Sequence, residues 1–166
     1  MFLEYVIKKD DSLKTINDVL ISYFGISSRL RNKLINLKAV KLNGNFVNTR
    51  CFVKELDIIT VDFDYDEDNS NIVPTKMDLD IIYEDEWLII INKPAGIAIH
   101  PSLLHYTNSL SNGVRYYFDS IGLKKKVRPV NRLDSNTSGL VVFAKCEYIQ
   151  ECFIKQMANK TFKKEY

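Results

Sequence analysis

Residues 127–140 read VRPVNRLDSNTSGL, and this stretch decides how the second half of the chain is interpreted. It places an arginine, Arg132, and a carboxylate, Asp134, in a polar loop directly before a short apolar strand predicted over residues 140–144. A carboxylate in that position is held on a rigid element, and Arg132, if close, would keep it ionised by opposite charge. The pattern also fits a structural salt bridge with a turn capped by the polar residues 136–138, so the residues alone leave both interpretations open.

Around this loop, the spacing of apolar residues predicts a mixture of strands and helices. The expected strands are 79–83, 87–92, 97–99 and 140–144, with another beginning at 161, and the expected helices are 108–118 and 147–159. A basic loop is expected at residues 124–126. Residues 93–96, KPAG, lack the Gly-Lys-Ser/Thr ending of a phosphate loop, so we interpret them as a turn that supports the wall of a site.

The first half of the chain predicts a smaller body of two helices and short strands. The expected helices cover residues 12–24 and residues 27 or 28 to 37, and the expected strands cover 40–42, 45–47 and 56–63. Asn43 and Gly44 separate the first two strands. An Asn-Gly pair is the strongest short hairpin signal because both residues tolerate positive φ.

The formal net charge of +2 conceals three segments of very different charge. Residues 27–56 hold seven Lys or Arg and one acidic residue, residues 57–86 hold eleven acidic residues and one lysine, and residues 87–166 hold twelve basic and five acidic residues. Positive charge at both ends permits contact with phosphates. The acidic, polar stretch cannot bury much apolar surface and is the best linker. The expected division is a domain over 1–68, a linker over 69–77 and a domain over 78–166.

Several functional classes are disfavoured by the composition. Cys51, Cys146 and Cys152 form no Cys-x-x-Cys pair, and His100 and His105 complete no metal-ligand spacing, so neither a disulfide framework nor a metal site is expected. No apolar run approaches the roughly 18 residues of a membrane span, and the N-terminus does not resemble a signal peptide. We expect a monomeric, cytoplasmic protein without membrane contact.

Residues 27–61 are similar to the S4-type RNA-binding domain, in which a Ser-Arg helix is followed by a hairpin that here reads VKLNG at 40–44. The predicted helix has leucines on one side and basic residues on its other sides. A solvated helix face would explain the charges alone, but the order of the elements favours RNA contact. The resemblance implies RNA binding by Arg29, Arg31, Lys33, Lys38, Lys41 and Arg50.

The second half resembles the RluA-type RNA pseudouridine synthases. Residues 132–134 match the Arg-Leu-Asp signature of that family. Residues 88–102, LIIINKPAGIAIHPS, look like its first motif, Lys-Pro-x-Gly followed by His-Pro, and residues 163–166 look like the start of its Lys-x-Tyr motif. Together with the S4-like part, the resemblance covers nearly the whole chain, and the combination is far more specific than any one motif.

This resemblance implies that the protein isomerises uridine to pseudouridine in structured RNA, with ribosomal RNA the expected partner. Asp134 would be the catalytic aspartate, as a nucleophile at C1′ or as a base that removes the C2′ proton. Arg132 would hold the flipped nucleotide or its phosphate, and Tyr166 would stack on the target uracil. The reaction involves no oxidation and no group donor, so no cofactor is expected.

Two features depart from the family pattern. Asn131 stands where the family often has histidine, and the chain ends at Tyr166, where the family continues much further. We therefore expect an α+β protein in which a small S4-like domain precedes the first half of a mixed, largely antiparallel-sheet catalytic domain, and little activity from this chain alone. The alternatives are a non-catalytic RNA-binding protein with a truncated catalytic remnant, and an interaction domain in which Arg132 and Asp134 form a structural pair.

Overall fold

The computed structural model of the protein describes residues 1–103, 106–163 and 165, and the chain forms two compact units, 1–64 and 65–166. Both units combine helices with antiparallel sheets, which confirms the predicted mixed α and β structure. None of the helices in the described ranges has the length and apolar character that crossing a bilayer requires.

The first unit is a three-stranded antiparallel sheet with two helices. Its elements are β1 (Phe2–Val6), α1 (Ile16–Ser22), α2 (Ser28–Asn36), β2 (Val40–Leu42) and β3 (Ile58–Asp62), and β3 lies between β1 and β2. Helix α1 begins later than the predicted residue 12 because Thr15 provides its cap. The Thr15 hydroxyl accepts from the backbone N–H of Asp18, and the Asp18 carboxylate accepts from the backbone N–H of Thr15 at 2.9 Å.

The Asn43-Gly44 turn forms as predicted, but the strand expected after it is wrong. Both residues have positive φ, 49° and 80°, and Leu42 and Asn45 exchange backbone hydrogen bonds across the turn at 2.9 and 3.0 Å. Residues 46–47 then leave the sheet, and β3 pairs with β2 instead. The Asn43 side chain favours this outcome because its Oδ1 accepts from the backbone N–H of Ile58 at 2.8 Å.

The second unit is a four-stranded antiparallel sheet in the order β4-β5-β7-β6. Its elements are β4 (Ile81–Glu84), β5 (Leu88–Lys93), α3 (Leu110–Ser120), β6 (Arg128–Pro129), β7 (Gly139–Ala144) and α4 (Glu147–Ala158). Alternate residues of β5 and β7 point into one core, where Ile89, Ile91, Val141 and Phe143 are fully buried. Leu110, Val114 and Phe118 of α3 belong to the same core.

Residues 97–99, predicted as a strand, form none. Their carbonyls are used by the start of α3, since the N–H groups of Leu110 and Ser111 donate to Ala98 and Ile99 at 2.8 and 2.9 Å. The first N–H groups of a helix need such external acceptors. Of the final predicted strand, residues 161–163 and 165 are described and none of them is a strand residue.

The division between the units falls at 64/65, before the predicted boundary at 68/69, and the segment predicted as a linker is packed. Asn69 is 6% exposed and Ile72 is 7% exposed. The Asn69 amide donates to the Lys125 carbonyl at 2.7 Å and accepts from the Val127 N–H at 3.2 Å. Specific hydrogen bonds to the 124–128 region therefore hold a polar stretch that could not bury itself by apolar contact.

Candidate active site

The polar loop between β6 and β7 is closed at its base by the side chain of Asn131. The amide nitrogen of Asn131 donates to the carbonyl of Leu140 at 2.9 Å, and its oxygen accepts from the backbone N–H of Val142 at 2.9 Å. The N–H of Val130 also donates to the Val142 carbonyl at 2.7 Å. Asparagine suits this position because its amide can donate and accept simultaneously.

Between these anchors, Arg132, Leu133 and Asp134 alternate in exposure. Arg132 and Asp134 are exposed, whereas Leu133 is half-buried and packs against the core of the second unit. Gly139 begins β7 with φ of +140°, and a Cβ there would meet Leu133 at 3.4 Å. Apolar anchoring of Leu133 thus directs its two charged neighbours outward, and glycine allows the chain to turn into the strand beside it.

Arg132 and Asp134 line one open cleft of about 500 Å³. Its opposite wall is the segment 98–102, which includes His100. The loop and this wall are joined by the backbone N–H of Gly96, which donates to the Ser135 carbonyl at 2.8 Å. The structure thus brings the two charged residues singled out in the sequence to the same cleft as the AIHPS segment.

His100 is the titratable side chain of the opposite wall. Partial burial lowers the pKa of His100, and the positive charge of Arg132 lowers it further. A neutral imidazole can donate from one ring nitrogen and accept at the other. The cleft therefore presents a guanidinium, a carboxylate and an imidazole to whatever enters it.

The six basic residues predicted to bind RNA all lie in the first unit. Helix α2 carries Arg29, Arg31 and Lys33 while it buries Leu30 and Leu34. The remaining three follow α2 along the chain: Lys38 two residues after the helix, Lys41 in β2, and Arg50 in the segment between β2 and β3. Arg29, Lys38 and Arg50 are exposed, and Arg31, Lys33 and Lys41 are half-buried.

Two further predictions concern the residue that stacks on uracil and the binding of metal ions. Tyr166, predicted to stack on uracil, lies outside the described residues. Within the described ranges, no three His, Cys, Asp or Glu side chains are grouped so that they could share a metal ion.

Two residues of this region were not among the predicted site residues. Both residues were placed in the family's first motif, Lys93 also in a turn, but neither was assigned a role in the site. Lys93 is a single charged residue directly after the run LIIIN. A lysine that becomes buried at the end of such a strand needs hydrogen-bond acceptors, and this is the signal that the sequence offers.

Comparison with known proteins finds a family match over the residues that line this cleft. A family model described as RNA pseudouridylate synthase matches residues 87–166. The chain is 34% identical over 164 residues to the uncharacterized RNA pseudouridine synthase YhcT of Bacillus subtilis, an alignment that covers 99% of this chain and 54% of that protein. It is 39% identical over 100 residues to ribosomal large subunit pseudouridine synthase D of Neisseria meningitidis, covering 60% of this chain and 27% of that protein.

Among solved structures, human RNA pseudouridylate synthase domain containing 4 aligns with a TM-score of 0.40 and 23% identity, covering 49% of this chain and 30% of that one. The chain spans about half the length of the curated relatives that match most of it.

Proposed function

The chain belongs to the RNA pseudouridylate synthase family, and from that membership we propose that the protein isomerises uridine to pseudouridine in structured RNA, with ribosomal RNA as the target. The observation that carries the proposal is the cleft in which Arg132 and Asp134 meet, because it lies within the matched residues 87–166. Names of relatives that specify the large ribosomal subunit support the choice of target.

Asp134 is the proposed catalytic residue. The reaction breaks the bond between N1 and C1′, turns the base, joins C5 to C1′, and exchanges the C5 proton for one on N1. Asp134 would act as a nucleophile at C1′ or as the base that removes the C2′ proton, and its exposure in the cleft suits either role. Because the chemistry is an isomerisation, the proposal needs no cofactor.

The substrate must enter as a single nucleotide turned out of its stack. Enzymes that modify a base in this way bind the extruded nucleotide in a pocket, and the open cleft beside Asp134 has a volume of about 500 Å³. Arg132 would hold the nucleotide or its phosphate by charge-assisted hydrogen bonds. We retain Tyr166 as the residue that would stack on the uracil.

The first unit is proposed to bind RNA as an S4-like domain. Helix α2 buries Leu30 and Leu34, and its basic side chains would contact phosphates from its other sides. The same proposal covers Lys38, Lys41 and Arg50. We propose that the second unit is the first half of the catalytic domain, and that the protein is monomeric and cytoplasmic.

A non-catalytic RNA-binding protein is the second candidate. The chain spans 54% of the length of the YhcT relative, so it corresponds to only part of that protein. On this alternative, RNA binds, but Asp134 has no role in chemistry. The two candidates differ in one measurable property, the release of the C5 hydrogen of uridine.

The test uses the natural protein that carries this sequence and ribosomal RNA labelled with tritium at C5 of uridine. Asp134→Asn keeps the size of the side chain but removes its charge and basicity. We expect the variant to remain folded with unchanged RNA affinity while tritium release falls by about 10² to 10⁴-fold or more. The matched control is Asp119→Asn on the exposed side of α3, which should leave tritium release unchanged.

Near-normal tritium release by folded Asp134→Asn would overturn the catalytic assignment. RNA binding without tritium release in the unaltered protein would favour the non-catalytic alternative. A variant that loses stability rather than turnover would identify Asp134 as a structural partner.

A further inference from the structure

Lys93 ends β5 and is fully buried, with 0% of its surface exposed. Lysine is almost never fully buried unless its charge is compensated. Its ammonium nitrogen is surrounded by three backbone carbonyls, those of Pro94 at 3.0 Å, Ile97 at 2.8 Å and Ser135 at 2.9 Å. The first two belong to the turn after β5, and the third belongs to the loop that carries Asp134.

The three hydrogen bonds favour the charged form of Lys93. A neutral amine has two N–H donors, whereas an ammonium has three, so only the ammonium can donate to all three carbonyls. All three acceptors are uncharged carbonyls. Burial lowers the pKa of Lys93, and the carboxylate of Asp134 opposes that shift, so the two charges interact.

The carbonyl of Ser135 joins the two segments twice. It accepts from the Lys93 ammonium at 2.9 Å and from the backbone N–H of Gly96 at 2.8 Å. Ser135 is the residue directly after Asp134, and the Asp134 carbonyl in turn accepts from the Thr137 N–H at 3.1 Å. Fixing the Ser135 carbonyl therefore restricts the backbone from which the Asp134 side chain projects.

We propose that Lys93 is a positioning residue for Asp134, which holds the Asp134 loop against the turn after β5 and carries a positive charge that interacts with the carboxylate. Because Lys93 is buried, it acts through the loop and not by touching RNA. The catalytic part of this proposal rests on the proposed function, whereas the tie between the two segments does not.

The first test is amide hydrogen exchange on this chain with Lys93→Met, which keeps the length of the side chain and removes its donors. We expect the amides of Gly96 and Thr137 to lose about ten-fold or more in protection, because their loop is no longer tied. The matched control is Lys145→Met, which removes another buried lysine, bonded to Glu84 at 2.7 Å. Lys145 follows the far end of β7, about 17 Å away along the strands, and should leave both amides protected.

The second test measures turnover and RNA affinity of the same variants in the natural protein that carries this sequence. A displaced catalytic group about 1 Å from its productive position typically costs about 10²-fold in rate. We therefore expect Lys93→Met to lower tritium release by about 10²-fold with RNA affinity within about two-fold, and Lys145→Met to leave turnover unchanged at matched stability. An equal effect of both variants would reduce Lys93 to a stabilising residue and overturn the proposal.

The third test keeps Lys93 and changes its partner, so it tests the electrostatic part of the proposal even if Lys93→Met does not fold. Asp134→Asn removes the charge that raises the pKa of Lys93, and the pKa should therefore fall further when the side-chain ammonium is titrated by NMR. Asp119→Asn on α3 is the control and should leave that titration unchanged. An unchanged pKa of Lys93 in Asp134→Asn would overturn the proposed interaction between the two charges. Protected Gly96 and Thr137 amides in Lys93→Met would overturn the proposed tie between the Asp134 loop and the turn after β5.

The proposal and the proposed function can fail separately. If Asp134→Asn keeps its turnover but Lys93→Met still frees the loop, the positional tie stands and the catalytic assignment falls. If Asp134→Asn is inactive but Lys93→Met is as active as the unaltered protein, the positioning role falls alone.

Discussion

The guanidinium of Arg128 forms two parallel hydrogen bonds with the carboxylate of Glu67, Nη1 to Oε2 at 2.7 Å and Nη2 to Oε1 at 2.5 Å. The side chains are 8% and 4% exposed, so this ion pair is withdrawn from water. Glu67 lies three residues into the second unit, and Arg128 begins β6. The pair therefore fastens the start of the second unit to its sheet, beside the loop that carries Asp134.

Removing Glu67 should destabilise the second unit strongly. Glu67→Ala leaves the Arg128 charge buried without its partner, which typically costs about 3 to 5 kcal/mol in the free energy of unfolding. Trp87 is the single tryptophan and lies in the second unit, so its fluorescence in a urea titration reports on that unit. Asp66→Ala is the control, because its ion pair with Lys124 is 77% and 72% exposed and should contribute little. Equal urea midpoints for Glu67→Ala and Asp66→Ala would contradict the prediction.

Replacing Asn131 should loosen the base of the loop that carries Asp134. Asn131→Ala leaves the N–H of Val142 and the carbonyl of Leu140 without their side-chain partner, at a cost of about 1 to 3 kcal/mol for each group that stays unsatisfied. Asn136→Ala, an exposed change in the same loop, is the control. The measurement is urea unfolding followed by Trp87 fluorescence. If Asn131→Ala is as stable as the control, the side chain is not the anchor that its contacts indicate.

The local pattern of the sequence predicted much of the fold, because most elements follow from spacing and turn chemistry. The helices α2 and α4, the strands β5 and β7, and the Asn43-Gly44 turn all appear close to their expected positions. The meeting of Arg132 and Asp134 in one cleft also follows from their two-residue spacing.

What the sequence did not predict depends on partners far along the chain. Strand β1, which was not predicted, pairs with the distant strand β3. Glu67 looked like part of a solvated acidic stretch, but its partner Arg128 is 61 residues away. Lys93 looked like a turn residue, and its acceptor in Ser135 is 42 residues away. Such contacts carry no local periodicity, so spacing alone cannot reveal them.

Reversing the charge of α2 should weaken RNA binding. Replacing Arg29, Arg31 and Lys33 with Glu would remove phosphate contacts. Each lost contact also lowers the number of counterions that are released when RNA binds. We expect lower affinity and a flatter salt dependence in a filter-binding titration of this chain with a ribosomal RNA transcript. The control replaces three exposed lysines of the same unit with Glu, and so changes the net charge by the same amount. These lysines are Lys8, Lys9 and Lys54.

The comparison of these two triple variants separates a local RNA contact from general attraction. If both weaken binding to the same extent, only net charge matters, and α2 has no special role. If neither changes the affinity or the salt slope, the S4-like assignment fails as a functional claim.

The last prediction concerns the pH dependence of the cleft. Partial burial and the charge of Arg132 hold the pKa of His100 below its ordinary value of 6.5 in the folded state. Folding therefore favours the neutral imidazole. The contribution of His100 to the free energy of unfolding is fully present above pH 6.5 and is lost as the pH falls through the folded-state pKa. Arg132→Gln removes one of the two causes, and the pKa of His100 should rise towards its ordinary value. The measurement is an NMR titration of the His100 ring proton in this chain, assigned with His105→Gln, and Arg115→Gln on α3 is the control that should leave the titration in place. A pKa of His100 that stays the same or falls in Arg132→Gln would mean that the Arg132 charge does not act on the imidazole across the cleft.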